Sequence, residues 1–392
     1  MTPTADLGPL GLDRGGHLVV RRALRAAGPG EVALVRGSHP DLELHLRAWC
    51  RVAGHTVEMG SGGELRVRAG ATSRRAGAER AGGPGLDGVV DRPRAAWGLA
   101  VRGALVEAGG PAPPFALDRK EAVWTDDAPR LYAEAVAAQW DPATAIDWTA
   151  PVDHEDEVED AVVQLLTYLV ENEQAALVVP ARFLGQVHPH FREVQQLLAV
   201  QVADEARHLE VFSRRARLRR SELGLSTAGG QASLVTLLDE PDFGLAGFLL
   251  GVLGEGSFLA LLAFVAERAP DPITARVAAL AAKDEARHVA FALSHLRRAV
   301  GLDPALRGRL GAAIERRHAV LQHTAGLNAE VFDALVLLAA GGWAPDALGR
   351  GHDRVVALVD EMDRARRHRL KMLGFSDAQA ASLSALHTRN FM

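Results

Sequence analysis

Asp204-Glu205-Ala206-Arg207-His208 recurs as Asp284-Glu285-Ala286-Arg287-His288, 80 positions further along the chain. A repeat of this kind bears on the whole architecture. Glu205 and His208 stand three apart, as do Glu285 and His288, and each pair shares one face of a helix. The neighbours on that face are apolar: Leu198, Val202, Leu209 and Phe212 around the first pair, Ala278, Ala281, Ala282, Val289 and Ala292 around the second. Twice over, a carboxylate and an imidazole point into hydrophobic surroundings. A solvated helix face with Asp204–Arg207 and Asp284–Arg287 surface ion pairs would account for one copy. It does not account for two.

Upstream of each copy an acidic residue interrupts an apolar stretch. For the second copy it is Glu255, in Leu253-Gly254-Glu255-Gly256-Ser257-Phe258-Leu259. For the first it is Glu171 or Glu173. Three and four positions from Glu173 stand Leu169, Val170, Ala176 and Leu177; the same test on Glu171 finds Thr167, Tyr168, Gln174 and Ala175. Helix phase therefore sends Glu173 to the core and Glu171 to its edge. From Glu173 to Glu205 there are 32 positions, with the midpoint at Pro189 in His188-Pro189-His190. From Glu255 to Glu285 there are 30, with the midpoint in Ala269-Pro270-Asp271-Pro272. There Asp271 suits an N-cap and Pro272 the first helical position. Each segment goes up, turns at its midpoint and returns. Two such hairpins make a four-helix bundle with Glu173, Glu205, His208, Glu255, Glu285 and His288 at one height.

A carboxylate left unpaired in a core costs several kcal/mol even after relaxation, about 3–5 in measured cases. Four together repel and take up protons. Two divalent cations would cancel four carboxylates, and oxygen ligands with two imidazoles and no thiolate suit iron or manganese. The six residues are thus candidate ligands and catalytic residues of a dimetal site. Asp204 and Asp284, with Arg207 and Arg287 beside them, are candidates for orienting the imidazoles through their far nitrogens.

The two Glu…Asp-Glu-x-Arg-His units resemble the ferritin-like di-iron carboxylate oxidases and oxygenases. That group includes hydroxylase subunits of bacterial multicomponent monooxygenases, the small subunit of ribonucleotide reductase and AurF-type N-oxygenases. The resemblance covers roughly residues 155–300. It implies two iron ions (Fe/Fe, with Mn/Fe an alternative), O2 as co-substrate, a small organic substrate and an oxidoreductase activity. Ferritin-like metal storage (ferroxidase) and a metal-stabilised scaffold are the alternatives. AurF-type enzymes carry a further histidine four residues before the second Glu-x-x-His, where this chain has Ala281. Reductase subunits need a tyrosine beside the metals, and Tyr168 lies five residues before Glu173, off its face.

The rest of the chain frames this reading. It has 392 residues, 48 % of them apolar, and a net charge of −5, which favours folded domains and disfavours nucleic acid as the main partner. One cysteine, Cys50, rules out disulfide frameworks, zinc knuckles and thiolate clusters. A lone thiol, and the lack of a leader pattern over Met1–Leu12, point to the cytoplasm. The apolar run near Phe243–Phe264 is broken by Gly251, Gly254, Glu255 and Gly256 and reads as a buried helix, not a membrane span. No flavin or nicotinamide fingerprint is visible, so electrons come from an external donor or from the substrate. Bundles of this kind often form homodimers.

Residues 1–72 read as a small α/β two-layer sandwich: helices His17–Ala27 and Pro40–Ala53, a strand Glu31–Arg36, and strands at Val57 and Leu65–Val67 around a Gly60-Ser61-Gly62-Gly63 turn. Leu12-Asp13-Arg14-Gly15-Gly16, Gly30-Glu31-Val32, His39-Pro40-Asp41 and Ala48-Trp49-Cys50-Arg51-Val52-Ala53-Gly54-His55 resemble the TusA-type sulfur carriers. That family places its active cysteine in a Cys-Pro pair at the start of the first helix. Here the stretch is Gly16-His17-Leu18-Val19, so the resemblance implies a scaffold or docking module without sulfur chemistry. Cys50 reads as a buried structural residue. Residues 73–150 form a Gly/Pro/Ala-rich connection with a short element at Trp97–Ala108 and a helix at Ala128–Gln139. The expected fold class is mainly α: a ferritin-like bundle with extra C-terminal helices over 151–392, after the sandwich. Those further helices are expected at about 303–324, 328–340, 352–373 and 376–388. His318, His323, His352, His368 and His387 read as structural or exposed, and His188 and His190 as turn residues outside the site.

Overall fold

The computed structural model describes residues 1–60, 63–70, 77–322 and 329–387. Ser61 and Gly62 of the expected turn, His323 and the extreme ends of three expected C-terminal helices lie outside those residues. The chain divides into two compact units, Met1–Gly88 with Arg102–Ala112, and Val89–Val101 with Pro113–Met392.

The first unit runs β1 (Thr4–Asp6), α1 (Gly16–Ala27), β2 (Val32–Arg36), α2 (Leu42–Ala53), β3 (Thr56–Met59) and β4 (Leu65–Arg68). The sheet order is β1-β2-β4-β3, with β1 parallel to β2 and the other pairs antiparallel. Alternation sets its inner face: Ala33, Val35, Leu65 and Val67 are buried. They meet Val20, Leu24, Leu46 and Cys50 from the two helices. Cys50 is buried, and burial pushes its thiol up to about 12. A short ribbon, β5 (Glu79–Arg80) with β6 (Leu105–Val106), completes the unit. The short element expected over Trp97–Ala108 is not continuous. It divides into a 3₁₀ turn at Ala95–Trp97 and strand β6, because Gly98 (φ +48°) and Gly103 (φ +84°) adopt left-handed conformations that end local structure.

The second unit is helical. α3 (Lys120–Val123) and α4 (Ala128–Ala137) precede the long hairpin α5 (Asp156–Leu184) and α6 (Arg192–Ala216), with a 3₁₀ turn at Pro189–Phe191 between them. α7 (Ala228–Leu238) crosses to the second hairpin. Its ascending arm is α8 (Phe243–Gly247), a π-helical segment (Phe248–Glu255) and α9 (Gly256–Arg268); its return is α10 (Pro272–Leu302). Asp271 caps α10 by accepting from the Thr274 N–H at 2.8 Å, with Pro272 at the first helical position. Four further helices follow: α11 (Leu306–Leu321), α12 (Ala329–Ala340), α13 (Pro345–Met372) and α14 (Asp377–Ala385). α13 starts earlier than expected, because Pro345 opens the helix at its first turn instead of ending the preceding one.

Phe243–Arg268 is long and apolar enough to cross a bilayer, yet 78 % of its most apolar window is buried inside the unit. The π-helical turn within it is not legible from periodicity. Gly251 permits its close approach to α10, since a Cβ there would meet the Ala292 Cβ at 2.7 Å. Arg369 of α13 occupies the space beside Gly256 and donates from Nε to the Val252 carbonyl at 2.7 Å. The C-terminal helices thus brace the widened turn that carries Glu255.

Candidate metal centre

α5 carries Glu173, α6 carries Glu205 and His208, the π-helical segment ends on Glu255, and α10 carries Glu285 and His288. All six side chains are buried, none more than 4 % exposed. The structure brings them together as two overlapping quartets. Glu173, Glu205, His208 and Glu285 form one; Glu205, Glu255, Glu285 and His288 form the other. Within each quartet the donor atoms lie within 4.8 Å of one another. Glu205 and Glu285 belong to both and are the shared carboxylates; Glu173 and Glu255 are terminal. Glu171 is only half-buried and outside both groups.

The imidazoles face the centre through Nδ1. His208 Nδ1 lies 3.2 Å from both Glu205 and Glu285 and 3.6 Å from Glu173. His288 Nδ1 lies 3.0 Å from Glu205 and 3.3 Å from Glu285. The far nitrogens find the aspartates, and the pairing is crossed between the hairpins. His208 Nε2 donates to Asp284 at 3.2 Å, and His288 Nε2 donates to Asp204 at 3.3 Å. A proton on each Nε2 leaves each Nδ1 lone pair facing the carboxylates, the tautomer a metal ligand requires.

Charge is unevenly settled here. Arg207 donates to Asp204 and, at 2.9 Å, to Asp284; Arg287 pairs with Asp284. Two aspartates and two arginines therefore cancel in the outer layer. Among the described residues no lysine or arginine pairs with the inner four glutamates. Five of their oxygens accept no hydrogen bond: Glu173 Oε1, Glu205 Oε1, Glu255 Oε2 and both of Glu285. Burial, then repulsion from Glu205 and Glu285, raises the Glu173 carboxyl well above its ordinary range. Burial, then Glu285, does the same to Glu255. Burial alone would raise Glu205 as well, but the neighbouring imidazoles outweigh it and hold that carboxyl down. Burial opposes charging His208 and His288, and the surrounding carboxylates nevertheless raise both well above the ordinary imidazole value. The side chains present fit a pair of divalent cations: orphaned carboxylate oxygens, two inward Nδ1 atoms and a hard oxygen-rich donor set with no thiolate.

Several contributors come from stretches whose role the sequence did not reveal. Just beyond α4, Gln139 Nε2 donates to Asp204 at 2.8 Å and its carbonyl accepts from Arg207 at 2.6 Å. The next residue, Trp140, donates from Nε1 to Asp284 at 2.7 Å, while Arg207 stacks over its ring at 4.6 Å. Gln201 Nε2 donates to Glu255 Oε1 at 3.2 Å. Only Gln201, four residues before Glu205 and so on its face, was open to detection by helix phase. His188 caps the 3₁₀ turn, and His190 accepts from the Val90 N–H at 3.0 Å, both apart from the two quartets.

A cavity adjoins the cluster on its Glu255 side. It is narrow, and part of it is open to solvent. Its walls are mostly hydrocarbon, including Phe183, Leu198, Phe243, Leu250 and Phe291, with Gln201 and His288 at the metal-centre end. Pro180 also lines it, from inside α5, where it cannot donate to the Ala176 carbonyl.

No family model and no curated protein matches the chain. Solved structures do. A variant of an R2-like ligand-binding oxidase with an aerobically reconstituted Fe/Fe cofactor is 17 % identical, with a TM-score of 0.45 over 65 % of this chain and 94 % of that one. Another variant, with an anaerobically reconstituted Mn/Fe cofactor, gives 17 % identity and 0.44 over the same shares. The R2-like ligand-binding oxidase from Sulfolobus acidocaldarius gives 17 % and 0.38, over 64 % of this chain and 92 % of that one.

Proposed function

We propose that this chain is a ferritin-like dinuclear metal oxidase that uses O2 to oxidise a small, largely apolar organic molecule. The observation that carries the reading is the buried cluster of four glutamates and two histidines, paired with no lysine or arginine among the described residues and adjoining an apolar cavity. Glu173 and His208 would hold one metal and Glu255 and His288 the other, with Glu205 and Glu285 shared. Iron in both positions, or manganese and iron, suits these donors. When bound, the metal pair would supply the electron transfer to O2 that side chains cannot perform.

The chain's own residues do the rest. Asp204 and Asp284 hold the imidazole tautomers, Arg207 and Arg287 pair with those aspartates, and Gln201 fixes Glu255. The hydrocarbon walls bind the substrate and keep bulk water from the centre. An apolar approach favours an organic substrate over iron storage, which needs a hydrophilic path for hydrated ions. We assign the first unit, by the resemblance of its sequence to TusA-type carriers and its lack of their active cysteine, to docking an external electron donor, and the protein to the cytoplasm.

Anaerobic loading with Fe(II), elemental analysis and exposure to O2 in a stopped-flow absorbance cell test the reading. Two irons per wild-type chain, none in Glu285→Ala, and a transient visible band on mixing with O2 are expected. One metal or none, indifferent to Glu285, would mean that the cluster is misassigned. Two metals inert to O2 would favour a structural site, and iron loading far beyond two per chain would favour storage.

A further inference from the structure

His295 lies seven residues beyond His288 on α10, two turns along the same stripe and roughly 10 Å further down the axis. Both rings line the cavity beside the metal centre. The His295 side chain is buried, 4 % exposed. Its Nδ1 lies 3.3 Å from the Trp124 carbonyl oxygen, which can only accept. Nδ1 must therefore carry the proton, and Nε2 is left with a lone pair. Phe243 packs edge-on against the ring at 5.3 Å, and Phe291 lies 6.4 Å away. Burial holds the imidazole down at about 4, so the ring stays neutral. Among the described residues no donor meets Nε2. The hydrocarbon side chains around it (Phe183, Leu250 and Leu296 among them) have none to offer.

With no protein donor, Nε2 opens onto the cavity and favours a ligand that can donate over one that cannot. Open faces of this sort are not general in the bundle. In the first half-repeat the residue seven beyond His208 is Arg215, and its guanidinium is saturated by Glu159, Asp271 and Thr274.

We propose that the cavity takes an elongated aliphatic alcohol, its hydroxyl donating to His295 Nε2 and its apolar end lying at His288 and Gln201. The inference rests on reading the cavity as the substrate pocket, and it names the substrate class. A span of roughly 10 Å corresponds to an extended chain of roughly six to eight carbons. His295 is then a specificity-determining residue: it sets which end of the molecule faces the metal centre.

Heptan-1-ol and its isomer 1-methoxyhexane test this on the full-length protein without metal, by calorimetry and by quenching of Trp124 fluorescence. The two have the same atoms, but only the alcohol can donate. The wild type is expected to bind heptan-1-ol about 10-fold more tightly. His295→Phe should bring the ratio to about 1, and His295→Gln, which keeps an acceptor, should retain part of the preference. Equal binding by the wild type would mean that water meets Nε2 and would overturn the proposal. So would a lack of saturable binding of either isomer, or a preference that survives in His295→Phe. If either variant fails to fold, the wild-type isomer ratio still decides. No turnover is involved, so a protein that discriminates the isomers but ignores O2 would keep this inference and reject the oxidase reading.

Discussion

Two acidic clusters lie in the core of the same bundle, two helical turns apart on α6, and they are settled in different ways. At Arg215 one guanidinium, itself fully buried, reaches Glu159 with two bonds of 2.8 and 2.9 Å and Asp271 with two of 2.7 and 3.3 Å. Thr274 and His154 satisfy the remaining donors and acceptors. At the metal centre four glutamates crowd together, and Arg207 and Arg287 beside them are already committed to Asp204 and Asp284. The fold can evidently supply a cation to buried acids. Where it supplies none, the charge is left for a ligand. An acidic cluster in a core is thus informative through its compensation, not its composition.

The largest expected effect breaks the settled cluster. Arg215→Met should cost about 3–5 kcal/mol in urea unfolding, because Glu159 and Asp271 would be left buried and unpaired. A loss under 1 kcal/mol would show that the two clusters are not so different. The crossed aspartates come next. Asp284→Asn should weaken the metal held with His208, and Asp204→Asn the metal held with His288, by about 10–100-fold in competition with a chelator. If each variant instead weakened the metal on its own helix, the crossed pairing would be wrong.

The third prediction has the opposite sign to the first. Glu173→Gln removes a carboxyl that must take up a proton to be buried, so the metal-free protein should gain about 1 kcal/mol at neutral pH while binding one metal fewer. Stability would rise as function fell, measured by unfolding and elemental analysis on one preparation.

The pH dependence follows the same division. Asp271 and Glu159 are held below their ordinary range: burial opposes their ionisation, and Arg215 outweighs it. Their contribution is present above the unfolded carboxyl values, about 4, and is lost as pH falls through the folded ones. Glu173 and Glu255 are raised, so their contribution to the metal-free fold is lost as pH rises through their folded values. Metal relieves this. The gap in Tm between loaded and metal-free protein should widen from pH 5 to pH 8, and a constant gap would contradict the assignment. The smallest effect is at Trp140→Phe, which loses one bond to Asp284 and should reduce metal affinity by about 3- to 10-fold, worth about 1 kcal/mol.

The sequence by itself determined the six clustered residues and the two hairpins. Helix period is local: three-residue spacing fixed Glu205 with His208 and Glu285 with His288 on one face, and phase separated Glu173 from Glu171. Pro189 and the Asp271-Pro272 cap marked the turns, because those residues set backbone conformation with little help from elsewhere. The crossed Asp–His pairing was decided only by the tertiary structure, since it depends on how α6 and α10 pack and not on position within either. Gln139 and Trp140 reach the site from a stretch without periodic signal, and the π-helical turn at Phe248–Glu255 depends on Arg369, more than a hundred residues away. The difference between Arg215 and His295, at equivalent places in the repeat, is likewise tertiary. Charge compensation and open hydrogen-bonding capacity are properties of what other helices bring to a residue, and one-dimensional spacing does not encode them.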